Sequence, residues 1–279
     1  MRVAIVGIGL IGGSMALALK DKGLAEKIIG VDANPEHGAK ALELHLVDEL
    51  ADVEAGVRAA DLVILAIPVN ALQTVVPRVL NLVDKQVVMD VGSTKNGILD
   101  LIKDHPKRGR FVATHPMWGT EYSGPEAAVK GAFSGKATVI CNKEESDGDA
   151  LKLAEGIYQA LGMHLVYMQG EDHDLHVAYV SHISHITSFA LANTVLEKEK
   201  EEEAIFELAS GGFESTVRLA KSNPAMWVPI FKENRENVLD VLNEHISQLR
   251  KFKACLEKEN YEYLKELIED ANKIKRIIK

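Results

Sequence analysis

An α/β architecture, a doubly wound parallel sheet followed by an all-helical second half, is predicted by three observations. A short apolar strand at the start of the chain runs into a glycine-rich turn and a small-residue helix. Further continuous apolar runs, of the kind buried on both faces of a parallel sheet, then alternate with helical stretches as far as residue 167. Beyond Gly170 only helical periodicities remain. The division is expected near 170, giving segments 1–170 and 171–279 with no Pro/Gly-rich linker between them.

Residues 2–7 (RVAIVG) read as a buried strand leading into GIGLIGGS at 7–14, with a helix at 15–19. A second apolar run, 27–31, ends at Asp32. Strand, G-x-G-x-x-G, helix, strand and acidic residue in that order form the Rossmann-type dinucleotide fingerprint. Gly7 permits the tight turn, Gly9 lets the backbone approach a pyrophosphate, and Gly12 allows close helix–strand packing. The helix N-terminus, with Leu10 and Ile11 beside it, offers free N–H groups to an anion. Asp32 lies twenty residues past Gly12. Its carboxylate would accept hydrogen bonds from an adenosine ribose and repel a 2′-phosphate, which favours NAD over NADP; Asn34 softens that preference.

The next strand, 62–68, is stopped by Pro68, a cofactor-side candidate, and 69–82 reads as a helix. Strand 86–91 ends at Gly92-Ser93-Thr94-Lys95, and strand 111–114 ends at His115-Pro116. Two more strands, 137–141 and 164–167, flank a helix at 147–161. Pro68, Ser93 and His115 thus all fall at carboxyl ends of strands, where such sheets bind ligands. In the second half, 173–194 reads as one long helix and 197–203 as a solvated charge run or connection. A helix starts near Pro224 and continues through 227–252. The last amphipathic helix, 257–278, places Leu264, Leu267, Ile268 and Ala271 on one side.

Bulk properties narrow the function. A net charge of −9 over 279 residues leaves no basic surplus for phosphates and argues against nucleic-acid binding. Cys141 and Cys255 match no metal or redox spacing and fit a reducing compartment. No apolar run is long enough for a bilayer, and the chain opens directly on a strand, so a cytoplasmic protein without signal peptide is expected.

Five side chains could carry chemistry. His115 begins the run HPMWGTE and suits a general base near neutral pH, or merely caps a turn beside Pro116. Ser93 orients a substrate oxygen or the imidazole, or else caps a helix from Asn96 onward. His182 and His185, three apart on one helix face, lack the carboxylate of a recognised metal signature, so no metal is expected. Arg218, in an apolar stretch after Gly211-Gly212, grips a carboxylate or forms a structural salt bridge. Trp227 reads as core.

Five segments then occur in order: GIGLIGGS at 7–14, DVGSTK at 90–95, HPMWGTEYSG at 115–124, SHISH at 181–185 and GGFESTVRLA at 211–220. This set resembles the prephenate/arogenate dehydrogenases of tyrosine biosynthesis over nearly the whole chain. The resemblance implies oxidative decarboxylation of prephenate to 4-hydroxyphenylpyruvate with hydride transfer to NAD⁺, or the corresponding arogenate reaction giving tyrosine directly. It makes His115 the catalytic base and Ser93 its orienting partner. Glu121, His182, His185, Arg218 and, less directly, Trp227 then stand on the substrate side, and the helical segment forms a homodimer. Trp118, bulkier than the small residue usual after H-P-M, narrows the entrance or repacks locally. Glu214 departs from the basic or polar residue of many relatives. Two other readings remain: a β-hydroxyacid dehydrogenase relative, disfavoured because 172–193 holds histidines but no lysine, and a catalytically silent NAD-sensing protein.

Overall fold

The computed structural model describes residues 1–200 and 205–277. Eight strands form one sheet: β1 (Arg2–Val6), β2 (Lys27–Val31), β3 (Glu49–Leu50), β4 (Leu62–Leu65), β5 (Val87–Asp90), β6 (Phe111–Pro116), β7 (Ala137–Cys141) and β8 (His164–Met168). Their spatial order is β3-β2-β1-β4-β5-β6-β7-β8. The chain winds outward one way from β1 and then returns to start the other half at β4. That reversal opens a crevice at the carboxyl ends of β1 and β4. All pairs are parallel except β6–β7, where Pro116 faces Thr138 in antiparallel register.

The first six helices are α1 (Leu10–Asp21), α2 (Pro35–Glu43), α3 (Val53–Ala59), α4 (Val69–Leu82), α5 (Asn96–Ile102) and α6 (Gly148–Ala160). The central strand β4 is apolar and buried at every position, and β5 is buried throughout as far as Asp90, as in strands covered on both faces. One core gathers Ile5, Met15, Leu19, Ile64, Met89, Ile140 and Tyr158; the other gathers Val6, Val63, Leu65, Val76, Val88 and Phe111. Helix α1 begins at Leu10, five residues before the expected start, since its glycines are helical rather than part of the loop. Strand β4 stops at Leu65, and Pro68 caps α4 from outside.

After β8 the described residues form no further strand: α7 (Gly170–Val177), a π-helical turn at 178–182, α8 (Ile183–Glu199), α9 (Gly211–Val217) and α10 (Pro224–Glu233) follow. The predicted helix at 173–194 is thus interrupted where the chain makes its π turn. The charge run at 197–203 ends α8 through Glu199, and its residues 201–203 lie outside the described residues. Only Gln169 separates β8 from α7, and the Gly170 amide donates to the Asn142 side chain at 2.8 Å. Trp227 and Ile230 of α10 complete the second core.

Two compact units result, Met1–Asn234 and Arg235–Lys279. The second contains α11 (Arg235–Glu257) and α12 (Tyr261–Ala271). The expected continuous helix 227–252 breaks at Asn234, and the expected last helix starts only at Tyr261, after Glu259 turns into the left-handed region at φ 53°. Residue 278 of that expected helix lies outside the described residues.

Candidate active site

The crevice between β1 and β4 is shaped by its glycines. Gly7 has φ 91°, and a Cβ there would lie 2.8 Å from Ile67 Cγ2. A Cβ on Gly12 would fall inside the Gly7 carbonyl oxygen, so α1 can lie this close to β1 only without a side chain. Gly9 differs: a Cβ would meet nothing within 4 Å. Its lack of a side chain therefore answers to the open space in front of the loop. Gly9 caps α1 with no side-chain hydrogen bond and no acidic residue in the first turn, leaving the N-terminal amides around Leu10 and Ile11 to an anion. Asp32 follows directly after β2 and accepts from the Ile8 amide and the Asn34 amide, each at 2.9 Å.

Ser14 was not anticipated from sequence. Its hydroxyl donates to Leu10 O at 2.6 Å and accepts from the Val129 amide at 2.9 Å. It thereby clasps the loop at 117–136 onto α1. Trp118 of that loop packs edge-on against Phe133 and the first core, so its bulk is absorbed by local packing.

The neighbouring ends of β5 and β6 bring Ser93 and His115 to the same sheet edge. Asp90 joins them: its Oδ2 accepts from the Gly92 amide at 2.9 Å and its Oδ1 from the Thr114 amide at 3.2 Å. Lys95 donates its ammonium to Asp90 Oδ2, and both side chains are fully buried. Ser93 is not the cap of α5. Lys95 holds that position, and the amides of Lys95 and Asn96 donate to Asp174 at 2.8 and 2.9 Å.

His115 is half-buried, and its Nδ1 lies 2.8 Å from His173 Nε2. Burial holds its imidazole well below the usual range, helped by His173, Lys95 and His182. The group is thus neutral at pH 7 and able to accept a proton. Glu121, in the segment that follows His115, accepts a hydrogen bond from Arg218 at 2.8 Å. The Glu121 carboxyl is lowered first by its own backbone amide and then by this arginine.

Two more candidates meet on α8 and α10. The His185 ring stacks on Trp227 with centroids 3.4 Å apart, and its Nδ1 lies 3.1 Å from Ser181 O. His182 lies behind them, 1% exposed, with Nδ1 3.2 Å from the Asn234 side-chain nitrogen Nδ2. Burial brings its pKa down to about 4 against the raising effect of Asp174. Sequence reasoning left Asp90, Lys95, His173, Asp174 and Asn234 without roles. The only signals were charged residues in apolar surroundings and the His-Asp pair at 173–174.

A family model described as prephenate dehydrogenase, nucleotide-binding domain, matches residues 15–167, and one described as prephenate dehydrogenase, dimerization domain, matches 169–270. The prephenate dehydrogenase of Bacillus subtilis is 32% identical over 94% of this chain and 72% of its own length. The cyclohexadienyl dehydrogenase of Zymomonas mobilis is 29% identical over 99% and 96%. The crystal structure of A. aeolicus prephenate dehydrogenase in complex with hydroxyphenyl propionate and NAD⁺ superposes with a TM-score of 0.89. It is 34% identical, covering 99% of this chain and 97% of its own. With a dinucleotide crevice, a neutral histidine at the adjoining strand end and these matches over both halves, the chain belongs to the prephenate dehydrogenase family.

Proposed function

We propose that this chain is an NAD-dependent prephenate dehydrogenase, releasing carbon dioxide and 4-hydroxyphenylpyruvate from prephenate. The observation that carries the reading is His115, a neutral base on the same sheet edge as the glycine crevice. The crevice fits a dinucleotide because Gly9 faces open space and the first turn of α1 is uncapped. Gly7, Gly9, Leu10, Ile11, Gly12, Asp32 and Pro68 would hold it. When bound, NAD⁺ accepts a hydride from the ring carbon that carries the hydroxyl. His115 takes the hydroxyl proton, and Ser93 orients that hydroxyl. As the ring carboxylate leaves as carbon dioxide, its bonding pair completes the aromatic ring. The phenolate oxygen then recovers the proton from His115, so no net proton is gained or lost.

Arg218 exchanges Glu121 for a substrate carboxylate, a bidentate partner it fits equally well. His185 and Trp227 form a wall of the substrate pocket, with His182 behind them. Residues 1–170 serve the cofactor, and 171–279 serve the substrate and a homodimer. In support of the latter, Ile268 is 50% exposed on the apolar side of α12. No helix among the described residues is long and apolar enough to cross a membrane, and we place the enzyme in the cytoplasm.

A second reading rests on Glu121. Its carboxylate beside Arg218 is suited to an ammonium group, which arogenate carries where prephenate carries an oxo group. NADH formation with both compounds side by side decides. Turnover of prephenate supports the first reading, and turnover of arogenate alone the second. Silence with both, NAD⁺ binding being intact, overturns them together.

A further inference from the structure

Behind His115 lies a chain of polar groups with no part in the chemistry above. His115 Nδ1 is 2.8 Å from His173 Nε2, and His173 Nδ1 is 2.7 Å from Asp174 Oδ1. The position of every proton follows from Asp174. Its two oxygens receive the Lys95 and Asn96 amides at 2.8 and 2.9 Å, and a carboxylate in that setting only accepts. His173 must therefore carry its proton on Nδ1, which leaves a lone pair on Nε2. That lone pair calls for an N–H on His115 Nδ1. The neutral His115 is then left with its own lone pair on Nε2, at the far side of the ring.

We propose that His173 and Asp174 are positioning residues that fix His115 in the Nδ1–H tautomer, so that Nε2 is the atom that takes the substrate proton. The opposite tautomer would set two lone pairs against each other at 2.8 Å inside the protein. Once His115 is protonated, its Nδ1–H still has an acceptor in His173, whose far nitrogen stays on the Asp174 carboxylate. His173 is fully buried, so water does not compete for either bond. The Asn234 side chain fixes the rear of the chain, donating to Asp174 O at 2.6 Å. Proton placement at the active site is thus set 58 and 59 residues away in sequence, from the first helix after the sheet.

The role rests on His115 being the base, and the test separates the two ideas. ¹⁵N spectra of the full chain with labelled histidines report which ring nitrogen of His115 carries the proton, with His115→Asn identifying its signals. The wild type should show Nδ1–H and a bare Nε2, whether or not it turns over prephenate. His173→Phe should mix the tautomers and lower kcat on the order of ten- to a hundredfold, with KM for prephenate and NAD⁺ little changed. His173→Gln offers a carbonyl oxygen near the original Nε2 and should restore both the tautomer and most of kcat. An unchanged tautomer or unchanged kcat in His173→Phe overturns the proposal, as does equal loss in both variants. A wild type silent on prephenate would remove the proposed reaction while the spectra still decide the tautomer.

Discussion

Alanine at Gly9 and alanine at Gly12 should fail in opposite ways, although both break the same glycine motif. At Gly12 the new methyl would fall inside the Gly7 carbonyl and 3.1 Å from Ile5 Cγ2. A backbone carbonyl in a strand-to-helix turn cannot move aside, so α1 must lift from β1. Overpacking of this kind costs about 1–3 kcal/mol or more. The better helix propensity of alanine offsets at most ~1 kcal/mol of it. At Gly9 φ is −87° and the added methyl meets nothing within 4 Å, so stability should stay within about 0.5 kcal/mol of wild type. The methyl instead occupies the space through which a pyrophosphate reaches the amides of α1. Losing one charge-assisted hydrogen bond there is worth about 1.5–3 kcal/mol, or roughly a ten- to 150-fold weaker Kd for NAD⁺. Thermal unfolding together with calorimetric NAD⁺ titration separates the two variants. A Gly9→Ala protein that binds NAD⁺ as tightly as wild type would refute the assignment of that space. A Gly12→Ala protein of undiminished stability would refute the packing argument.

His115→Asn should retain NAD⁺ affinity and lose on the order of 10²–10⁴-fold in turnover; an active variant would show that the base lies elsewhere. Lys95→Met strands the Asp90 carboxylate in the core, and such losses cost about 3–5 kcal/mol. For a chain of this size, that lowers Tm by roughly 6–20 °C, and a smaller fall would mean that the pair is hydrated. Stability should also decline as pH falls. His115, His173, His182 and His185 are all held below their unfolded pKa, so the unfolded chain binds protons first. The loss starts near pH 6.5 and runs through the folded values. For His182, with a folded pKa of about 4, it amounts to about 3 kcal/mol. Urea midpoints that do not change between pH 7 and pH 4 would contradict it.

The sheet was largely legible because buried parallel strands carry a signal that needs no partner to read. β2 and β7 fall where their apolar runs predict, and so does α4. Boundaries set by tertiary contacts were not. Helix α1 extends back to Leu10 because Gly12 touches Gly7, a contact invisible in a window that reads glycine as loop. The break at Asn234 likewise depends on side-chain bonds to Asp174 O and His182, 60 and 52 residues away. The two-residue strand β3 has too little sequence to show any period. At the site, the residues at strand ends were readable from position alone, whereas their supports were not. The His173-Asp174 pair is visible in the sequence, but it has no stated role until the fold sets it against His115.

The buried Lys95–Asp90 pair makes sense through this geometry rather than through stability. An apolar pair of similar volume would avoid the cost of desolvating two charges and often leaves a protein equally stable. But Lys95 stands at a crossing: its ammonium meets Asp90, and its amide meets Asp174. Asp90 in turn holds the amides of Gly92 and Thr114, which flank Ser93 and His115 in sequence. One residue thus sets the spacing between the hydroxyl, the base and the base's support. Its charge also helps keep His115 neutral, which an apolar substitute would not. Substituting both partners by apolar residues should therefore spare the fold more than the activity, because the core can be refilled while the cation and the register cannot.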